Sequence, residues 1–158
     1  MNLSLLAAFA ILSAAVSAPA SAGSNASPSA TSAVETVDAF AAALKAGDAA
    51  AIERLMAPDV LIAESGGAER SFSEYAGHHM PADMAFVKAV ASTIKDRRVF
   101  AGEAQTTVVT EAISKGIWRD KPVHSRLMET MTLQKTGEKW RIVHIHWSSA
   151  KIEEHGDH

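Results

Sequence analysis

Cysteine is absent from the 158-residue sequence. That excludes a disulfide framework, lipid attachment through an N-terminal cysteine and thiolate chemistry. An excess of positive charge is absent too: the formal net charge is -3, and Lys95, Arg97 and Arg98 form the only basic cluster. Such a chain can neutralise few phosphates, which argues against nucleic acid as a partner. Internal repeats, a phosphate-cradling glycine loop and the fixed short spacings of zinc-finger or metalloprotease motifs are also missing. The longest apolar run, Leu3 to Val16, is too short to span a bilayer comfortably.

That run is broken only by Ser4 and Ser13, and Ala20-Ser21-Ala22 follows it with the small-x-small pattern of a cleavage site before Gly23. Residues 1–22 therefore read as a signal peptide, although no Lys or Arg precedes the apolar run. The expected location is periplasmic or secreted, with no membrane attachment after cleavage. Residues 23–32 are Gly, Ser, Ala, Asn, Pro and Thr with too little apolar surface to pack, and read as a disordered linker. One domain is expected over 33–150, followed by a flexible tail over 151–158 that carries His155 and His158.

Within the domain, Ser32 and Glu35 stand at capping-box spacing, and Val34, Val37, Phe40, Ala41 and Leu44 recur at helical intervals. A helix is expected over 33–46, ended by Gly47, with Asp48 capping a short second helix that carries Ile52, Leu55 and Met56. Residues 59–65 read as a strand and Gly66-Gly67 as a turn. Ser71 or Ser73 can cap a short helix carrying Tyr75, His78 and His79, which Pro81 limits or restarts. Residues 86–100, 104–118, 122–135 and 138–149 are rich in Val, Ile, Thr, Phe and Trp, with turn signals at Ala101-Gly102, Asp120-Lys121 and Thr136-Gly137. Helices followed by strands joined through tight turns define an α+β protein, its helices packed over one face of a curved antiparallel sheet.

Two stretches carry a resemblance. "FAAALKAGDAAAIERLMAPDV" resembles the opening of the nuclear transport factor 2-like superfamily in its SnoaL-like branch. "GEKWRIVHIHWSS" resembles the last strand of that branch and of the association domain of calcium/calmodulin-dependent kinase II. The resemblance covers residues 33 to 150 and implies a cone-shaped α+β barrel, a pocket between sheet and helices, and a homodimer packed through the sheet. It does not select an activity, because the superfamily includes isomerases, cyclases, dehydratases, binding scaffolds and oligomerisation modules. The aspartate general base of its ketosteroid-isomerase branch has no counterpart assignable in this sequence.

The candidate chemistry lies on the last hairpin. A two-residue turn at Thr136-Gly137 pairs Lys135 with Glu138, which sets Trp140 opposite Leu133, Ile142 opposite Met131, His144 opposite Glu129 and His146 opposite Leu127. Directly opposed Cβ atoms lie about 5 Å apart, so Glu129 can hydrogen-bond His144. The pair is expected either to move a proton, with His144 as acid-base and Glu129 as its orienter, or to satisfy itself inside a core. Tyr75, His79 and His146 are expected to line a small-molecule pocket, with Asp83 near its mouth. Cofactor-free isomerase, dehydratase or hydrolase chemistry is expected there. The alternatives are a non-catalytic ligand-binding or oligomerisation module, and a zinc or copper site on His144, His146 and His79 with Glu129 beside it.

Overall fold

The computed structural model describes residues 28–153. The proposed cleavage site and both tail histidines lie outside this range.

The N-terminal helix α1 (Pro28–Ala46) starts five residues earlier than the sequence pattern indicates, inside the segment expected to be linker. Ala30 and Ala33 are buried there, so small side chains let the added turn pack closely. Ala33, Val37, Phe40, Ala41 and Leu44 form its buried stripe at the three- and four-residue spacing of one helix face. Gly47, at φ +76°, ends the helix in the left-handed region, and the Asp48 carboxylate accepts the Ala51 N–H at 2.9 Å to start α2 (Ala49–Leu55).

Strand β1 (Met56–Glu64) follows, three residues earlier than expected. Pro58 is tolerated because it falls where the pairing of β1 is irregular, between Met56 and Leu61. After β2 (Gly67–Glu69), α3 (Phe72–Gly77) is capped by Ser71, whose hydroxyl accepts the Glu74 N–H. Pro81 restarts the chain as α4 (Met80–Ala89) from the first turn, where its missing N–H costs nothing. Residues 86–89, expected as strand, belong to this helix, because Phe86 and Val87 continue the buried stripe that Met80 and Asp83 begin.

The four long strands are β3 (Val90–Phe100), β4 (Gln105–Trp118), β5 (Lys121–Thr136) and β6 (Lys139–Lys151). The sheet order is β2-β1-β6-β5-β4-β3, open, with β2 and β3 at its edges. β1 runs parallel to β6, so the sheet is mixed and not antiparallel throughout. The helices cover one face: α1 contacts β3, β4 and β6, α2 contacts β1 and β6, α3 contacts β1 and β2, and α4 contacts β3 and β4. Among the described residues no helix is long and apolar enough to cross a membrane.

The last hairpin departs from the expected register twice. Its turn is Gly137-Glu138, pairing Thr136 with Lys139, and Val143 is then an extra residue between the pairs Leu133–Ile142 and Thr132–His144. A bulge of one residue reverses which side chains face inward. Trp140 and Ile142 are buried before it, and Ile145 and Trp147 after it.

Gly116 sits where β4 passes the start of β3. A Cβ there would lie 2.7 Å from the Ala89 carbonyl oxygen and 2.8 Å from the Val90 Cα. Backbone cannot yield as a flexible side chain does, so Gly116→Ala is expected to cost about 1–3 kcal/mol. Denaturant titration checks this; an unchanged midpoint contradicts it.

Candidate functional site

A cavity of about 250 Å³ opens between the β1–β2 hairpin and the two short helices. Ile62 and Glu64 of β1, Glu69 of β2 and Trp147 of β6 supply the sheet side; Glu74, His78, His79 and Asp83 supply the helical side. Each position follows from local structure. The tight turn after Glu64 folds β2 back so that Glu69 lies opposite Ile62. The break between α3 and α4 places His78 and His79 over the opening, and α4 turns Asp83 inward to 2% exposure.

Two acid-base pairs result. His79 Nδ1 lies 2.7 Å from Glu69 Oε1, with Glu69 buried and the histidine side chain 36% exposed. With Nδ1–H donating to the carboxylate, Nε2 carries the lone pair and is the nitrogen left to exchange a proton with a ligand. Behind them the Tyr75 hydroxyl donates to Asp83 Oδ2 at 2.9 Å. Burial pushes the Tyr75 phenol well above its ordinary value, and the charge and hydrogen bond of Asp83 add to this, as do the charges of Glu69 and Glu64. Tyr75 is therefore a neutral hydrogen-bond donor. The lining holds four carboxylates, Glu64, Glu69, Glu74 and Asp83, and no Lys or Arg. Two further clefts, each about 430 Å³ and both bordered by Arg141, contain no histidine.

The structure does not bring His144 and Glu129 together. Thr132 stands opposite His144, Thr130 opposite His146, and Trp147 opposite Glu129. His144 Nδ1 is hydrogen-bonded instead to the Leu61 carbonyl at 2.8 Å, and His146 is exposed. Both histidines lie on the sheet face away from the helices, whereas Trp147 and the cavity lie on the covered face. The three histidines expected as metal ligands are therefore split, His79 at the α3–α4 junction on the covered side of the sheet and His144 and His146 on the uncovered face of β6. Among the described residues no group of three or more His, Asp or Glu is arranged to hold a metal ion.

Glu129 is in the core. It is 3% exposed and accepts the Trp147 indole N–H at 2.9 Å through Oε2. Burial raises its pKa from 4.5 to about 7, against the opposing effects of the Trp147 hydrogen bond and the Arg97 charge. Sequence reasoning missed Glu69 and Glu64. The signal for both was the turn expected at Gly66-Gly67, which forms one residue earlier as Ser65-Gly66, since a hairpin that tight sets the residues flanking it on one small patch of sheet.

This chain belongs to the SnoaL-like domain family, whose model matches residues 34–152. No curated protein shows a significant match. Among solved structures it is similar to a candidate ketosteroid isomerase from Shewanella frigidimarina, at 36% identity and TM-score 0.72, covering 74% of this chain and 94% of that one. The CaMKII hub of S. rosetta matches at 23% identity and TM-score 0.66, covering 79% and 98%. A nuclear transport factor 2-like superfamily protein from Salmonella enterica matches at 17% identity and TM-score 0.61, covering 78% and 92%. The last two share the fold, which is the α+β sheet-and-helix architecture expected from the sequence.

Proposed function

We propose that the protein binds a small molecule in the Glu69–His79 cavity and transfers protons on it without an organic cofactor, in an isomerase, dehydratase or hydrolase type of reaction. The observation that carries this reading is the buried Glu69 carboxylate fixing one nitrogen of a half-exposed imidazole on a cavity wall. His79 Nε2 takes or returns the proton, Glu69 orients the ring and stabilises the imidazolium, and Tyr75 holds Asp83 in place as a second polar anchor. These residues replace His144 and Glu129 in the acid-base role. The similarity to a candidate ketosteroid isomerase supports the same class of reaction. Four carboxylates with no Lys or Arg disfavour anions, so the ligand is neutral or cationic, with an apolar part against Ile62 and Trp147.

A thermal-shift screen on the mature protein would find ligands, and turnover of the hits tests the chemistry. His79→Ala and Glu69→Gln are each expected to lower turnover by about 10²–10⁴-fold while ligand still raises the melting temperature. Unchanged turnover in both variants refutes the assignment. Hits that bind wild type but never react would identify a non-catalytic binding module.

Export and dimerisation belong to the same proposal. Residues 1–22 carry the export signal by their pattern. The uncovered sheet face presents Leu61, Phe100, Ile117 and Met128, all more than a third exposed, on one side. Leu61, His144, Thr132, Thr107 and Phe100 form one continuous row across five strands of that face. A second copy burying this face gives a homodimer, with His144 and His146 at the contact. Light scattering at micromolar concentration is expected to give twice the chain mass, and Met128→Lys to shift it toward monomer; a wild-type monomer contradicts the proposal.

A further inference from the structure

Trp147 belongs to two environments at once. It borders the cavity, and its indole N–H points away from the cavity into the core, to Glu129. Glu129 is not among the residues that line the cavity. Phe40 of α1 stacks on the indole at 6.5 Å between ring centroids, so the ring is held from the helix layer as well as from the sheet. The charged groups acting on Glu129 are Arg97 of β3 and Asp38 of α1, which are paired at 2.8 Å. Arg97 also donates through Nε to Thr110, the residue directly opposite Glu129 on β4.

We infer that Glu129 is a positioning residue of the cavity: it holds the Trp147 indole that forms part of the wall, and gain or loss of its proton shifts that ring. The consequence for binding rests on the reading of the cavity as the ligand site; the effect on Trp147 does not. An ionised carboxylate accepts the indole N–H in a shorter, stronger bond than a neutral acid does. The neutral acid also acquires a proton of its own to place, in surroundings built from Thr110, Trp147 and the Arg97–Asp38 pair. Protonation therefore lengthens the bond to Trp147 from the core side, and the ring follows its partner.

The test follows the indole N–H resonances of the ¹⁵N-labelled full chain between about pH 5.5 and about pH 8.5, a window that brackets the expected ionisation. The three tryptophans are told apart with Trp118→Phe and Trp140→Phe. The Trp147 resonance is expected to shift in a single-proton transition with its midpoint near pH 7. Glu129→Gln keeps an acceptor oxygen but cannot ionise, so the transition should vanish while the resonance remains. A Trp147 signal that stays flat across the window, or that titrates unchanged in Glu129→Gln, overturns the inference. Should Glu129→Gln fail to fold, Arg97→Met decides. Losing the cation must raise the midpoint, and a midpoint unchanged or lowered is equally fatal. A failed ligand screen leaves this titration untouched, so the two readings fail separately.

Discussion

The stability of wild type relative to Glu129→Gln is expected to fall by about 3 kcal/mol between pH 4.5 and pH 8. The carboxyl has an ordinary value of 4.5 in the unfolded chain and about 7 in the folded one. Between these values the folded state holds a proton that the unfolded state has released, so each rise in pH favours unfolding. The favourable contribution is complete below pH 4.5 and gone once pH has passed the folded value near 7. Glutamine cannot ionise, so the variant is free of this loss. Paired denaturant titrations at several pH values measure the difference directly and cancel the other titrating groups. Parallel curves for the two proteins would contradict the burial of an ionisable Glu129.

Trp147→Ala is the substitution expected to do the greatest damage, about 3–5 kcal/mol, which is a large part of the stability of a small domain. Trp147 is among the largest fully buried side chains. Its removal leaves a void under Phe40, takes the indole donor from Glu129 and opens the cavity wall in one step. Trp147→Phe separates these effects. Much of the volume remains, the donor is lost, and the Glu129 pKa should climb further because the hydrogen bond that lowers it is gone. A Trp147→Ala protein that melts within about 2 °C of wild type would show that α1 collapses onto the gap at little cost.

Most of the architecture was legible because it rests on periodicity and punctuation. The stripe Val37-Phe40-Ala41-Leu44, the stop at Gly47, the Asp48 cap and the four long β-rich segments each carry a local signal that the fold keeps. The candidate site was less legible, and one residue accounts for much of the gap. Register reasoning propagates from a turn with a strict period of two, and the Val143 bulge breaks that period. The expectation placed Glu129 beside His144, whereas the bulge turns Glu129 toward Trp147. A trace of it exists in "WRIVHIHW", where the buried apolar positions pass from 140 and 142 to 145 and 147. The Glu69–His79 pair joins an edge strand to a helix junction ten residues away, and neither period nor turn type specifies that contact.

The parallel pairing of β1 with β6 also governs the order in which the molecule can be assembled. β1 joins the sheet through β6 alone, since its other neighbour is the short edge strand β2. The hairpin bearing Glu64 and Glu69 thus has no place to dock until the last strand in chain order has been laid against β5. Contacts such as Leu61 with His144 close a loop of more than eighty residues, and closures of that length are slow because their entropy is lost before any contact forms. During synthesis α1, α2 and β1 emerge early and wait, while β3 to β5 can zip locally through their hairpins. The cavity is consequently expected to be the last part to mature, because β6 supplies both Trp147 of its wall and the strand on which the β1–β2 hairpin docks.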